Sequence, residues 1–204
     1  CEEVRNAGHR DATFIERPKV ADYLRHHIQP GDLVMILGAG DINQVAAQLS
    51  DSLRTQELFK TVRGKIFKNE PLSRHTSLKI GGPVQFWVEP EDADDLKLVL
   101  KECKARALLI YLFGAGSNVL PPDHGLEGVV IHLASEYFRQ LWTENGKIMA
   151  RAGVPNSLFI QYALDHGYGG CEFLLGIPGS IGGSIAMNAG SHQQSVDLFL
   201  DSVR

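Results

Sequence analysis

Two glycine-rich segments constrain this chain more than any other feature. The first, Gly-Ala-Gly-Ser-Asn at residues 114–118, directly follows an apolar run at residues 107–113 that predicts a buried strand. The second, Gly-Ile-Pro-Gly-Ser-Ile-Gly-Gly, occupies residues 176–183. Glycine lets the backbone turn its N–H groups toward an anion. Both segments therefore predict turns at which phosphate groups can lie against bare main chain.

The first segment differs from the dinucleotide fingerprint G-x-G-x-x-G. Its sixth position is Val119, and Pro121 with Pro122 prevents a helix from starting where that motif needs one. A Rossmann fold is thereby disfavoured. Ser117 and Asn118 still add side-chain donors to the turn. Alone, a Gly-x-Gly of this kind is more often only a tight turn between two strands.

The second segment carries apolar residues at intervals, namely Ile177, Ile181, Ile185 and Met187. These favour a packed, ligand-covering loop over a flexible hinge. Two such loops in one domain favour a long phosphate-bearing cofactor. A further turn at residues 38–41 ends in an aspartate, which would repel phosphate, so its predicted role is to cap the next helix.

Charge and composition exclude several classes of function. The 204 residues are 44% hydrophobic and carry a formal net charge of −4, so no basic field favours nucleic acid or an anionic membrane as a partner. No apolar run approaches the ~20 residues needed to span a bilayer. We therefore expect a soluble, cytoplasmic protein that binds neither nucleic acid nor membrane.

The remaining reactive side chains give little sign of a second site. Cys1, Cys103 and Cys171 are far apart and are predicted to be reduced structural thiols. The only adjacent histidines, at positions 26 and 27, lie at a predicted helix end, so no metal site is expected. Glu172 lies in an apolar, glycine-flanked stretch, where a buried structural acid is favoured over a catalytic one.

The chain reads as two domains joined by a polar segment. Residues 1–52 form a predicted β-α-β-α piece, residues 53–64 a linker, and residues 65–204 the second domain. In the first domain the pattern predicts strands at 12–15 and 32–37, a helix from 18 to about 30, and a helix at 44–53. In the second it predicts two strands around residues 81–82 (the later one at 84–88), further strands at 107–113, 129–133, 148–152 and 197–204, and helices at about 91–106 and 155–166.

Three ordered segments resemble the UDP-N-acetylenolpyruvylglucosamine reductase family: residues 69–83, residues 114–120, and residues 176–183 with 188–190. The resemblance covers the chain from about residue 67 onward. It implies an α+β, two-subdomain FAD-binding fold of the vanillyl-alcohol-oxidase type. In that fold the flavin diphosphate lies between the two glycine-rich loops.

The same resemblance implies a reaction. NADPH supplies a hydride to FAD, which passes it to the enolpyruvyl group of a UDP-sugar to give UDP-N-acetylmuramate for peptidoglycan. The partner is a small-molecule UDP-sugar, and no obligate protein partner is inferred. The family's catalytic Arg, Ser and Glu belong to segments after Arg204, so no catalytic residue is named here.

The resemblance also implies which residues contact FAD. These are Gly114, Ala115, Gly116, Ser117, Asn118 and Val119 in the first loop; Ile177, Pro178, Gly179, Ser180, Gly182 and Gly183 in the second; and Ala186, Met187, Asn188 and Gly190 beside the flavin ring. One departure lies at residues 191–194, Ser-His-Gln-Gln, where the family usually has a glycine.

Residues 10–49, above all 30–42, resemble the C-terminal end of UDP-N-acetylmuramate–L-alanine ligase. This implies an α/β fragment of a Mur ligase C-terminal domain, without the ATP-binding loop, and a bifunctional fusion. The chain begins with Cys rather than Met, so we expect a fragment cut at both ends. Two alternatives stay open: another FAD-dependent oxidoreductase of the same fold, and a catalytically inactive FAD-binding fragment.

Overall fold

The computed structural model describes residues 13–29, 32–37, 44–47, 49 and 58–203. The chain divides into two compact units, Cys1–Lys60 and Thr61–Arg204. The division lies inside the predicted linker at 53–64.

The first unit contains helix α1, Arg17–His27, and residues 44–47 and 49 are also helical. Proline stands in the first turn of α1, where its missing N–H and fixed φ suit a helix start. The backbone becomes extended at Ile28, so α1 ends just before Pro30 as predicted. The predicted helix from residue 18 is thereby confirmed.

Two strands predicted for this unit are wrong. Residues 32–37 form no strand, and Leu33 and Leu37 are 89% and 80% exposed. Residues 13–15 form no strand either. An apolar run becomes a buried strand only where a neighbouring strand and covering layers exist, and the described part of this unit contains no other strand. The turn at 38–41 lies outside the described residues.

The second unit is built on a four-stranded sheet. Its strands are β1 (Lys65–Pro71), β2 (Pro83–Glu89), β3 (Ile110–Phe113) and β4 (Leu126–His132), in the order β1-β2-β4-β3. The outer pair β1 and β2 is antiparallel, whereas β4 runs parallel to both β2 and β3. Helix α2 (Ala93–Ala105) forms the crossover from β2 to β3, which run parallel to each other on opposite sides of β4.

The sheet buries a compact cluster around Trp87. This side chain, Val84 and Val130 are fully buried, and Phe113 meets the Trp87 ring edge-on at 5.7 Å between centroids. In α2, Cys103 is fully buried, as expected of a structural thiol. Burial raises the pKa of its thiol to about 11, so it remains protonated and unreactive at neutral pH.

Strand β3 differs from its predicted character. Residues 107–113 were expected to form a buried strand, but β3 lies at the edge of the sheet and Leu112 is 74% exposed. Only Phe113 is buried, because an edge strand has a neighbour on one side alone. The apolar composition of the run does not reveal which strand ends up at the edge.

The rest of the unit is composed of short elements. They are the hairpin β5 (Leu141–Glu144) and β6 (Lys147–Ala150), helices α3 (Asn156–Asp165) and α4 (Ile181–Ala186), and the hairpin β7 (Gly190–Ser191) and β8 (Gln194–Ser195). Helix α3 confirms the prediction for residues 155–166. Gly167 follows it with φ +74°, as expected for a C-terminal cap.

Three further predictions for this unit are wrong. Residues 72–82 form a 3-10 turn, Leu72–Arg74, and loops, so the strand flanking β2 is β1 instead. Residues 197–203 form no strand but begin within a 3-10 turn at Val196–Leu198. Glu172 is exposed rather than buried. It opens a short 3-10 turn in which Phe173 and Leu174 take the buried positions.

In the described ranges no helix is long and apolar enough to cross a membrane. Over the same residues no group of three or more His, Cys, Asp or Glu side chains converges as a metal site would require. His26 and His27 each turn their Nδ1 toward a backbone carbonyl oxygen of their own helix.

Asp95 joins the entry of β1 to the start of α2. Its buried carboxylate accepts hydrogen bonds from the backbone N–H groups of Arg63 (2.8 Å), Gly64 (2.9 Å) and Glu91 (2.9 Å). Burial alone would raise the pKa of this carboxyl, but the three N–H donors outweigh it and hold the pKa below the usual range. The carboxylate form therefore stabilises the fold.

We predict that Asp95→Asn lowers the free energy of unfolding by about 2 kcal/mol near neutral pH, because one oxygen acceptor becomes an NH₂ donor facing an N–H group. A lowered folded-state pKa contributes stability that is present above the unfolded pKa and lost as pH falls through the folded value. The difference from wild type should therefore shrink below about pH 4. Urea unfolding near neutral pH and below about pH 4 tests this prediction, with the exposed Asp94→Asn as control. An equal loss of unfolding free energy at the two pH values would contradict it.

Candidate cofactor site

The first glycine-rich loop, residues 114–118, leaves the end of β3 and is shaped by contact with the loop at 72–82. Gly116 has φ +67°, and a Cβ there would lie 1.8 Å from the carbonyl oxygen of His75. The Gly116 carbonyl accepts a hydrogen bond of 3.0 Å from the N–H of Ser77. Both the backbone conformation and the close approach therefore require glycine at position 116.

The second loop, residues 176–183, is held by one buried side chain, Asn156 at the start of α3. Its Nδ2 donates to the carbonyl of Ile177 at 3.1 Å, and its Oδ1 accepts from the hydroxyl of Ser184 at 3.0 Å. Its backbone N–H donates to the carbonyl of Gly179 at 3.0 Å. Asn156 is only 2% exposed. It therefore fixes the loop and the helix α4 that continues from it.

The two predicted loops lie against each other. The Ser117 hydroxyl donates a hydrogen bond of 2.7 Å to the carbonyl of Pro178. A Cβ on Gly114 would lie 2.8 Å from the Ser180 hydroxyl oxygen, so the backbone at 114 is bare where the second loop begins its helix. Segments about sixty residues apart in sequence thus form one surface.

Both loops offer backbone donors, although some amides of the second loop are used within the protein. The backbone N–H groups of residues 115–118 have no acceptor among the described residues. In the second loop, the N–H of Gly182 donates to Ala152 at 2.9 Å and that of Gly183 to the Ser180 hydroxyl at 3.4 Å. The N–H groups of Gly176, Gly179 and Ser180 also have no acceptor among the described residues, so both loops offer amide donors. The second loop supplies a wall whose glycine at 182 allows close packing on Ala152.

The residues expected beside the flavin ring lie at the end of α4 and just after it. Ala186, Met187, Asn188 and Gly190 are all exposed. Asn188 has φ +45°, and its Oδ1 accepts from the N–H of Asp197 at 3.1 Å. The hairpin beyond them turns at His192 and Gln193.

The departure at residues 191–194 falls on the turn of this hairpin. His192 and Gln193 have φ of +52° and +66°, the left-handed conformation of the two-residue turns that favour Asn-Gly. A glycine would adopt this conformation without strain, whereas His and Gln are held in it at some energetic cost. The geometry is that of a tight hairpin turn even without the glycine.

A third segment, which the residue-level reasoning missed, borders the first loop. An open pocket of about 250 Å³ is lined by Arg74, His75, Thr76, Ser77, Lys79, Trp87, Gly114, Ala115 and His132. The segment 74–79 lies within the stretch that carries the family resemblance, but no glycine or strand end marks it as a ligand site. Asn156 was missed too, because a polar residue at a helix start is ordinarily only a cap.

The aromatic side chains at this pocket are paired with two carboxylates, Glu70 and Glu89. The His75 ring stacks on Trp87 at 3.7 Å and its Nε2 lies 3.0 Å from a Glu70 carboxylate oxygen. Burial alone would raise the pKa of Glu89, but hydrogen bonds from the Trp87 indole and the His132 ring hold that pKa below the usual value. Burial lowers the pKa of His132 despite this carboxylate, so the His132 ring is neutral at neutral pH.

These features fit a phosphate-bearing cofactor. Unpaired amides at residues 115–118 need hydrogen-bond acceptors, which phosphate oxygens supply. The bare backbone at Gly114 leaves room for close approach. A long dinucleotide would contact both loops, and the second loop adds the N–H groups of Gly179 and Ser180.

Comparison with known proteins now defines the class. A family profile described as FAD binding domain matches residues 83–204, and the chain belongs to this family. Membership indicates FAD as the cofactor. The matched residues include both glycine-rich loops.

Individual relatives are more specific. The chain is 45% identical over 135 residues to the UDP-N-acetylenolpyruvoylglucosamine reductase of Geobacter metallireducens, covering 66% of this chain and 45% of the relative. It is 43% identical over 131 residues to that of Pelobacter propionicus, covering 64% and 44%. The crystal structure of UDP-N-acetylenolpyruvylglucosamine reductase from Thermus caldophilus matches with a TM-score of 0.52 and 34% identity, over 66% of this chain and 45% of that one. The chain spans about half the length of the curated relatives it matches.

Proposed function

We propose that the protein containing this chain is an FAD-dependent reductase of UDP-N-acetylenolpyruvylglucosamine that uses NADPH and forms UDP-N-acetylmuramate for peptidoglycan. The observation that carries the proposal is the contact between the two loops, through Ser117 and Pro178, in a chain 45% identical to such reductases. FAD, when bound, supplies a group that accepts and releases hydride. We propose the cytoplasm as its location and a small UDP-sugar as its partner.

In this proposal the chain's own residues bind and orient the cofactor. The N–H groups of residues 115–118 donate to the diphosphate, and the Ser117 hydroxyl fixes the spacing of the two loops through its bond to Pro178. The second loop, held by Asn156, covers the other side. Residues 186–190 border the flavin ring. No catalytic residue is assigned within the chain, and this division of roles is itself part of the proposal.

Flavin binding provides the test. The purified protein should be yellow and release FAD on denaturation. Gly114→Ala should weaken FAD binding about tenfold, because the new Cβ either displaces the Ser180 hydroxyl or separates the loops. Gly169→Ala is the matched control, since a Cβ there meets only the flexible Glu172 side chain at 3.4 Å. A folded protein that takes up no FAD from excess would contradict the proposal.

Turnover separates the proposal from its two alternatives. The full-length protein should oxidise NADPH only when UDP-N-acetylenolpyruvylglucosamine is present. Rapid reaction with oxygen and indifference to this substrate would indicate another oxidoreductase of the same fold. Flavin binding without turnover by the 204-residue chain would indicate an FAD-binding fragment, which its coverage of about half of each relative favours.

We further propose that the first unit derives from the C-terminal domain of a UDP-N-acetylmuramate–L-alanine ligase, so that the whole protein is a bifunctional fusion. The support is the resemblance of residues 30–42 to that ligase. The coding sequence upstream should then encode an ATP-binding loop and a central ligase domain. Its absence would leave the reductase proposal standing and remove the fusion.

A further inference from the structure

The pocket beside the first loop offers more than backbone amides. Besides Gly114 and Ala115, it is lined by the cationic side chains of Arg74 and Lys79 and by the hydroxyl of Ser77. No carboxylate lines it. This lining is chemically suited to an anion, and it also includes His75, whose ring stacks on Trp87.

The positive charge of Arg74 and Lys79 is only partly neutralised. The nearby carboxylates are paired with other side chains: Glu70 lies 3.0 Å from His75, and Glu89 lies 3.2 Å from His132. Arg74 reaches Glu70 only at 3.5 Å, with 67% of its side chain exposed. Lys79 forms no ion pair with any residue that the structure describes. Lys79 is therefore a cation available to a ligand.

The backbone holds Lys79 in place at the rim of the pocket. Its N–H donates to the carbonyl of Thr76 at 3.1 Å, and the Thr76 hydroxyl donates to the carbonyl of Ile80 at 2.9 Å. Thr76 is 1% exposed, so this turn is anchored in the core. Lys79 itself has φ +57°, a conformation that non-glycine residues adopt at a cost. A constrained turn thus presents a charged side chain beside the first loop.

We infer that Lys79, with Arg74, forms the cationic side of a phosphate subsite that the backbone at Ala115 completes. This inference deepens the proposed function and rests on it. The ligand chemistry is a phosphate or diphosphate ester. Its source is either the flavin dinucleotide itself or the nucleotide part of a second substrate.

The test compares Lys79→Met with Lys101→Met, an exposed lysine on α2. Methionine keeps an unbranched stem, so it adds no backbone strain at φ +57°. FAD and riboflavin, which has no phosphate, are each titrated at low and high salt. Lys79→Met should weaken FAD binding about tenfold and reduce its salt dependence, without affecting riboflavin. Lys101→Met should match wild type, and Lys79→Arg should retain most of the affinity.

The remaining outcomes are also decisive. Unchanged FAD binding with weakened NADPH or UDP binding supports the subsite and assigns it to the second nucleotide. Equal weakening of FAD and riboflavin, or no change with any phosphate ligand, overturns it. If wild type binds no flavin but binds ADP in a Lys79-dependent way, the proposed function fails while the subsite stands.

Discussion

Replacing Gly116 with alanine is expected to abolish flavin retention and to lower the free energy of unfolding of the second unit by about 3 kcal/mol. The new Cβ would lie 1.8 Å from the carbonyl oxygen of His75, and this oxygen belongs to the backbone of an anchored turn. Neither segment can move without losing a contact, because the Ser77 N–H donates a hydrogen bond of 3.0 Å to the Gly116 carbonyl. The first loop would therefore move away from the loop at 72–82.

A matched control separates the clash from simple backbone strain. Gly146 has φ +73°, close to the +67° of Gly116, but a Cβ there meets nothing within 4 Å. Gly146→Ala should therefore lower stability by only about 1 kcal/mol and leave flavin binding unchanged. Chemical unfolding and FAD titration of both variants provide the measurement. Equal effects at the two positions would mean that the contact with His75 has no role in the site.

The sequence predicts an element correctly where neighbouring residues alone determine its structure. The helix predicted at about 91–106 is present as α2, and the Asp92 side chain caps it by accepting from the N–H groups of Asp94 and Asp95. The first glycine-rich segment likewise marked the turn after β3, because positive φ and close backbone approach at Gly116 leave few other choices.

The predictions fail where contacts with residues distant in sequence determine the structure. The run at 32–37 has strand-like composition, but whether it becomes a strand depends on neighbours that composition does not specify. Residues 107–113 were correctly identified as the strand before the first loop, yet their place at the sheet edge follows from the order β1-β2-β4-β3. The pattern of apolar residues indicates whether a segment can form a strand, but not which strands it will pair with.

Motif resemblance predicts which residues form the two loops. Whether each backbone amide is free to bind a ligand depends instead on tertiary contacts. Gly182 donates its N–H to Ala152, a residue thirty positions earlier, and so is unavailable to a ligand. Lys79 and Asn156 carry no local signature of a site, because one sits in a turn without glycine and the other begins a helix.

Asn156 is where this long-range organisation can be tested most sharply. Asn156→Leu keeps the side-chain size but leaves the carbonyl of Ile177 and the hydroxyl of Ser184 without their partner in a buried place. We expect a loss of about 3 kcal/mol in unfolding free energy. FAD binding should weaken about 30-fold, since roughly 2 kcal/mol would be needed to order the second loop again. Ser157→Ala, exposed on the same helix, should change neither.

A double-mutant cycle then identifies the cause of the loss. Ser184→Ala removes the hydroxyl that Asn156→Leu leaves unpaired, so the double variant should be less destabilised than the sum of the two single changes. Flavin affinity in the double variant should remain low, because Ile177 still lacks the Nδ2 donor that fixes the loop. Full additivity in stability, or normal FAD binding by Asn156→Leu, would show that the second loop holds its shape without Asn156.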